Sequence, residues 1–552
     1  MNNLKKTHKN LILLIFFLFF FIIGLVTFRD YAVHIEEKFH RTNGFFWLNY
    51  LLNFTNFEDF KNISLIKFKE INDYTLSPVN HYNKYGILFD LPAAIIEIVL
   101  NLEESRHFYQ LRHFLGFLIF FSSSICFYKI LNNRFKNFNI SIVGTILYVL
   151  SPRIYGDSFL YKDVFFLSLL TFSIYSVFLC FDKLNYKNLI ILALLSAFCI
   201  STRIIGIFIP ISFSLMLLVT LIIKKQKREI LIKYFFYLFL CIFFLIVHWP
   251  YLWESPISNF ISLFKSLKYD LVDVKILFNN EFINNRILPY EYIPYWIVLT
   301  TPILNLLFFI YGFSFEFKRI FSRFISIKKN AKQADFWRGK RERKDFFIFF
   351  NIFSIFLFLI TFNVGLYNGW RIIYFLNIFI IYYAAFGFYI ALSILKKRNY
   401  RLLLNSLVLI LSLFLILRMS IYHPYQSIYF NFLVPDKIKN SFEIDYYGLG
   451  GTRFLNRIMS MEPKKKMIKI GVASHTPLQR SIEFLEKSEK NKFEIVGQNY
   501  GEADYIFKNN ISEVNSRHNN KYDIPHNFVK IEEYIVDGIL IYELYKINEK
   551  IN

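Results

Sequence analysis

The stretch "DYAVHIEEKFHRTNGFFWLNY" (30–50) crowds Asp30, Glu36 and Glu37 beside two histidines and Arg41, directly after an apolar run. Carboxylates held at the end of such a run, near the depth of lipid phosphates, suit a general base that takes a proton from a hydroxyl. The Glu36-Glu37 pair also reads as a solvated loop charge, and Asp30 competes for the base role. A second stretch, "SPRIYGDSFLYKD" (151–163), sets Arg153, Asp157, Lys162 and Asp163 between apolar runs. Cations there suit a phosphoryl group; the plainer alternative is a salt bridge from Lys162 to a neighbouring aspartate. Arg203 in "STRIIGIFIP" and Arg371 in "YNGWRIIYF" stand at other run ends, where a lone arginine also snorkels to the interface. His34, Glu37 and His40 lack the H-E-x-x-H spacing, so no metal site is expected.

The elements that must position these groups are membrane spans. The 552 residues are 55% hydrophobic with a mean hydropathy of +0.37, and runs of ~18 to 20 apolar residues recur, long enough to cross a bilayer. An uncleaved first span at 11–28 follows Lys5, Lys6 and Lys9. Further spans are expected at about 110–129, 139–152, 160–181, 186–200, 204–223, 232–249, 292–313, 346–365, 373–394 and 401–419, eleven in all. The net charge of +23 lies in short loops between runs, including eleven Lys or Arg in 318–344. With the N-terminus inside, all these loops share the inner face, as the positive-inside rule requires. No nucleic-acid motif accompanies the charge. The four cysteines lie in apolar runs and read as small hydrophobes.

The polar stretches then fall on the outer face: a first loop (29–109), residues 151–163, a loop from Trp249 to about Tyr290, residues 365–371, and everything after about 420. "YGILFDLPAAIIEIVLNL" (85–102) is interrupted by Asp90, Pro92 and Glu97 and reads as an interfacial helix. The tail, 423–552, predicts a small α/β domain. Its strands are expected at 467–474, 493–498 and 503–507, its helix at 477–490, and a hairpin at 528–547 turning on Asp537-Gly538. The fold class is therefore an all-α membrane bundle (1–422) with a small C-terminal α/β domain.

No phosphate-binding G-x-x-x-x-G-K-[ST] or dinucleotide G-x-G-x-x-G motif occurs, so a donor or ligand must come from the membrane or from outside. The chain resembles membrane-embedded C-type glycosyltransferases, the bacterial protein-O-mannosyltransferase-like branch (family 39). The likeness rests on "IEEKFHRTNGFFWLNY", "LSPRIYGDSFLYKDVFF", "WPYLWESP", "YIPYWIVLTTP", "YNGWRIIYF" and "HPYQSIYFNFL…FEIDYYGLG" in that order. It departs at Glu36, where Asp is usual, at Asp157, where His is often seen, and at Ile372, which replaces a common His.

The resemblance implies an inverting transfer of a sugar, mannosyl-like, from a polyprenyl-phosphate donor to an acceptor at the periplasmic side of the inner membrane. The N-terminus would be cytoplasmic, the tail periplasmic, and no cofactor is implied. Glu36 would be the base with Glu37 in support. Arg153, Lys162, Arg371 and Arg203 would hold the phosphate, with Asp163 positioning Lys162. His40, Arg41, Asp157, Trp253 and Trp370 are candidate substrate contacts. A transporter of lipid-linked sugars and a catalytically inactive membrane scaffold are the rival classes. The sequence shows no internal repeat of the kind transporters carry.

Overall fold

The structure, a computed structural model, describes residues 2–71, 84–223, 227–269, 275–325, 337–362, 364–367, 369–509, 511 and 520–548. The first apolar run is α1 (Asn2–Thr27). It leaves Leu14, Phe19 and Val26 largely exposed, a surface that only lipid can cover. The long segment after α1 then folds into α2 (Glu37–Leu52), α3 (Glu58–Ile71) and α4 (Asp90–Val99). The carboxylates that interrupt 85–102 turn inward, and Ile95, Val99 and Leu100 face out. Asp90 accepts from Arg112 at 3.1 Å and Asn43 at 2.9 Å. Glu97 accepts from Arg41 Nε at 3.0 Å and NH2 at 2.5 Å.

The bundle continues through α5 (Ser105–Phe135), α6 (Phe138–Val149), the short α7 (Pro152–Asp157), α8 (Lys162–Asp182), α9 (Tyr186–Thr202), α10 (Phe208–Ile223) and α11 (Lys227–His248). Asn137 and Asn185 cap α6 and α9 by accepting their first backbone N–H groups. Next come α12 (Pro256–Tyr269) and the hairpin β1 (Lys275–Phe278)/β2 (Glu281–Asn284). Then follow α13 (Tyr292–Thr300), α14 (Ile303–Ile325), α15 (Gly339–Thr361), a 3₁₀ turn at Arg371–Leu376, α16 (Asn377–Ile394) and α17 (Arg398–Ile421).

Among the described residues, eight helices are long and apolar enough to cross a membrane, and α6 and α9 are shorter apolar helices. The chain is thus a multi-pass membrane protein by helix length and composition. The segment expected to span at 292–313 is divided instead. Pro302 lacks an N–H and forces Thr301 into extended backbone (ψ 134°), which ends α13. Helix α16 is buried along nearly its whole length. It crosses α14 where Gly312 meets Gly387; a Cβ on Gly387 would lie 2.1 Å from Phe308 O, so only glycine allows this approach.

The tail begins with α18 (Asp436–Lys439) and α19 (Gly450–Met461). Its sheet comprises β3 (Ile468–Val472), β4 (Phe493–Gly497), β5 (Tyr505–Lys508), β6 (Phe528–Val536) and β7 (Ile539–Ile547), in the order β4-β3-β5-β7-β6. β3 runs parallel to β4 and β5; the other pairs are antiparallel. The helix expected at 477–490 is two pieces, α20 (Gln479–Glu483) and α21 (Lys487–Lys490). A capping box between Glu486 and Glu489 starts the second afresh. The β6–β7 turn has Asp537 and Gly538 at positive φ, as the Asp-Gly pair predicts. Asp537 also accepts from Arg418, from Tyr422 at 2.5 Å and from Lys439 at 2.9 Å. That clamp fixes the hairpin to the end of α17.

Loops assigned to one face meet at one end of the bundle. Arg134, Asp182, Arg319, Lys344 and Asp345 are joined there, with Arg134 Nε 2.6 Å from Asp345 Oδ1 and Lys344 Nζ 2.6 Å from Asp182 Oδ1. The opposite loops bring Glu36, Lys162, Arg203 and Arg371 to a common point.

Candidate active site

Residues 31–34 leave α1 in extended form and are buried. Tyr31 stacks on Phe159 at 4.3 Å and donates to Gln426 Oε1 at 2.8 Å. The Ile35 N–H donates to Tyr447 O at 3.3 Å. These anchors place Glu36 just ahead of α2, where its own N–H donates to His34 Nδ1 at 2.8 Å. The Glu36 carboxylate receives both terminal nitrogens of Arg371, NH1 at 3.3 Å and NH2 closer still. Lys162 Nζ stands 3.5 Å away. Burial would raise the Glu36 pKa, but the charges of Arg371 and then Lys162 prevail and hold it well below the usual carboxylate range.

Asp163 sits in the first turn of α8, where the helix dipole favours a carboxylate. It pairs with Arg203 and lies 3.6 Å from Arg371, rather than positioning Lys162. Arg203 also donates to Ile372 O at 2.5 Å. Three cations therefore face two carboxylates. Lys162, Arg203, Tyr85 and Tyr367 line a cavity of about 270 Å³. An apolar groove of about 630 Å³ runs along α10 and α11 and shares Ile200 with that cavity.

The other sequence candidates lie apart from this cluster. Glu37 is buried, accepting from the His34 N–H at 3.2 Å and lying 2.9 Å from His113 Nε2, so it ties α2 to α5. His40 lies 3.3 Å from Asp90, and Arg41 is taken up by Glu97; both brace α2 against α4. Arg153 donates to Tyr429 O at 2.8 Å between the rings of Trp296 and Phe430. Asp157 accepts from Tyr447 OH at 2.5 Å, and burial pushes its pKa up to about 7 against that hydrogen bond. Trp253 lies at the surface, donating to Ile246 O at 2.8 Å, whereas Trp370 is buried on Thr300 Oγ1 at 2.9 Å. Asp30 meets His423 at 2.9 Å and borders a different cavity. Among the described residues no group of three or more His, Cys, Asp or Glu could hold a metal ion.

Sequence reasoning missed the aromatic wall. Tyr85 lies 5.0 Å from Lys162 Nζ, and Tyr367 and Tyr447 lie 5.1 and 5.4 Å from the Arg371 guanidinium. Tyr447 also packs on His34 at 4.2 Å. Tyrosine rings beside guanidiniums stabilise the charge they face. The one available signal was the "DYYGLG" motif itself, which carried no hint of its partner.

No family model and no curated protein matches the chain. Among solved structures it is similar to ArnT from Cupriavidus metallidurans bound to undecaprenyl phosphate, with 10% identity, a TM-score of 0.44, and coverage of 96% of this chain and 97% of that one. It is also similar to the Archaeoglobus fulgidus oligosaccharyltransferase AglB in complex with an inhibitory peptide and a dolichol-phosphate, with 10% identity and a TM-score of 0.41, over 79% of this chain and 62% of that one. The complex of that oligosaccharyltransferase with zinc and sulfate gives 11% identity and a TM-score of 0.38, over 76% and 54%. The chain thus spans little more than half the length of the archaeal chains it matches. These similarities are distant, and the functional reading rests on the geometry of the site.

Proposed function

We propose that the protein is a glycosyltransferase that moves a sugar from a polyprenyl-phosphate donor to an acceptor hydroxyl. One observation carries this reading: Lys162 and Arg203, from separate loops, line one cavity, and Arg371 joins them through the carboxylates they share, Glu36 and Asp163. A phosphate that leaves needs cations, and a hydroxyl that attacks needs a base. The apolar groove on α10 and α11 suits a prenyl chain whose phosphate reaches the cavity.

In the reaction the acceptor oxygen bonds to the anomeric carbon as the carbon–phosphate oxygen bond breaks. The phosphate leaves with the electron pair, Glu36 takes the acceptor's proton, and single displacement inverts the centre. With its pKa depressed by Arg371, Glu36 is a poor base until those cations are drawn off. An entering phosphate competes for Arg371 and Lys162, and each contact it wins raises the Glu36 pKa. Donor binding thereby switches on the base. The site faces the periplasm of the inner membrane, with the N-terminus cytoplasmic; the crowding of basic loops at the opposite end supports that orientation.

The test is purified protein given a polyprenyl-phosphate hexose. Release of polyprenyl phosphate by the parent, lost in Glu36→Gln, is the expected result. Donor that binds but is neither transferred nor hydrolysed under any acceptor would overturn the reading.

A further inference from the structure

Two cavities meet on the other side of the 30–36 stretch, where the proposed transfer reaction does not reach. The first is an apolar groove of about 500 Å³ between α1 and α17, walled by Phe19, Phe20, Leu413 and Ile416. Phe19, Leu413 and Ile416 are exposed along it, so the groove opens sideways into the lipid. Its upper end turns polar at Thr27, Tyr155, Ser420 and Gln426, where both helices finish. The second is a polar pocket of about 660 Å³ under the tail domain, to which α19 contributes Thr452, Arg453, Asn456 and Arg457. His423 lines both, so they adjoin across that side chain, the one apolar between the helices and the other polar beyond them.

The polar half has a charge preference. Of its three basic side chains, His423 pairs with Asp30 at 2.9 Å and Arg457 with Glu532 at 2.6 Å. Arg453 is left over. Its guanidinium lies 4.1 Å from the Tyr534 ring and has no carboxylate partner among the described residues. Thr452 Oγ1, in the same lining, is buried without a hydrogen-bond partner among the described residues. A guanidinium with no carboxylate paired to it and an unused hydroxyl suit an anion, and the groove below suits a hydrocarbon chain. We infer that the α1/α17 groove and the Arg453 pocket together form a second lipid site, which takes a bilayer lipid with an anionic phosphate headgroup.

The site does not depend on the transfer reaction, so its test uses lipid retention alone. The full chain is purified in detergent, exchanged into mixed phosphatidylglycerol and phosphatidylcholine, and its retained lipid counted by native mass spectrometry. Phosphatidylglycerol should be retained in preference, and Arg453→Glu should cut that retention roughly tenfold, one charge-assisted contact's worth. Leu413→Trp, which fills the groove, should reduce retention of both lipids. Lys466→Glu, the same charge change on an exposed position of the tail, controls for net charge, and size-exclusion profiles control for folding. Equal retention of the two lipids, or retention unchanged in a folded Arg453→Glu protein, overturns the site. So does a loss that follows Arg371→Ala instead, because the lipid would then occupy the Glu36 cavity.

Discussion

The two ends of the bundle each carry a cluster of arginines and carboxylates, and the clusters are built to different ends. Around Asp345 every strong group has a fixed partner. Arg134 binds it through two nitrogens, Tyr382 donates to it at 2.7 Å, and Tyr383 donates to its backbone carbonyl at 2.9 Å. Asp345 has no solvent exposure. Around Glu36 the carboxylate keeps 22% exposure, one of its cations lines a cavity, and Asp163 is shared between two arginines. Closed networks hold helices together; open ones can exchange a partner. The same residue types make a closed staple around Asp345 and an open cluster around Glu36, where Lys162 and Arg203 line a cavity.

Five experiments sharpen or break that contrast. The largest effect is topological and all-or-none. The native cysteines are buried, so a cysteine placed at Lys340 should be shielded from an impermeant thiol reagent outside intact cells, and one at Lys466 labelled. Labelling at Lys340 would put both clusters' faces the wrong way round. Next in size, Asp345→Ala strands Arg134 as a buried charge, at a cost of about 3 to 5 kcal/mol. Most folded protein should vanish from a fluorescence-detected size-exclusion trace, and normal yield would show that the network is no staple.

Glu36→Gln should fold normally yet lose turnover by at least ~100-fold, the low end for a positioned base. Because it also frees Arg371 and Lys162 from a competing carboxylate, donor should bind more tightly, not less. Weaker donor binding in that variant would sink the proposed exchange of partners. Lys162→Ala removes one phosphate contact and should weaken donor binding roughly tenfold, about 1.4 kcal/mol, with the melting temperature unmoved.

The smallest effect is in pH. Asp157 has its pKa raised by burial to about 7, so the folded state holds that proton more tightly than the unfolded chain. Its contribution is full below the ordinary carboxylate pKa of about 4 and is lost as pH climbs toward 7. Asp445, raised to about 7 by burial, has the same sign. Melting temperatures of the parent should fall from pH 5 to pH 7, and Asp157→Asn should flatten that dependence by about 1.4 kcal/mol per pH unit. A parental slope of the opposite sign would mean that Asp157 is ionised in the fold.

Much of this was legible before any coordinates. The membrane-spanning character, the tail hairpin at Asp537-Gly538 and the meeting of Glu36, Lys162, Arg203 and Arg371 follow from run lengths, turn chemistry and charge at helix ends, whereas eight long apolar helices stand among the described residues where eleven spans were expected. What failed to follow has physical causes. Glu36 and Glu37 are neighbours, yet α2 begins between them, so one points at the cations and the other at His113. Arg153 occupies a loop by sequence, but α7 turns it under Trp296 and Phe430. The break at Pro302 is written in Thr301-Pro302, but the residues on either side run on from 292 to 313 without a charge, as one span would. Tyr447 was beyond reach, since its contacts to Asp157 and His34 are set by tertiary packing alone.

Tyr31 and Gln426 are joined across 395 residues, and Ile35 leans on Tyr447 over a still longer interval. Synthesis runs in one direction, so a ribosome that has delivered α1 through α16 has already released Glu36, Asp163 and the three cations that face them. The stretch that aims Glu36 still lacks the two supports that hold it straight. Those supports arrive with the last span and the first residues of the tail. The site therefore sets only after every span has been made, and a chain that stops before Tyr447 carries its reactive groups without the alignment that makes them useful.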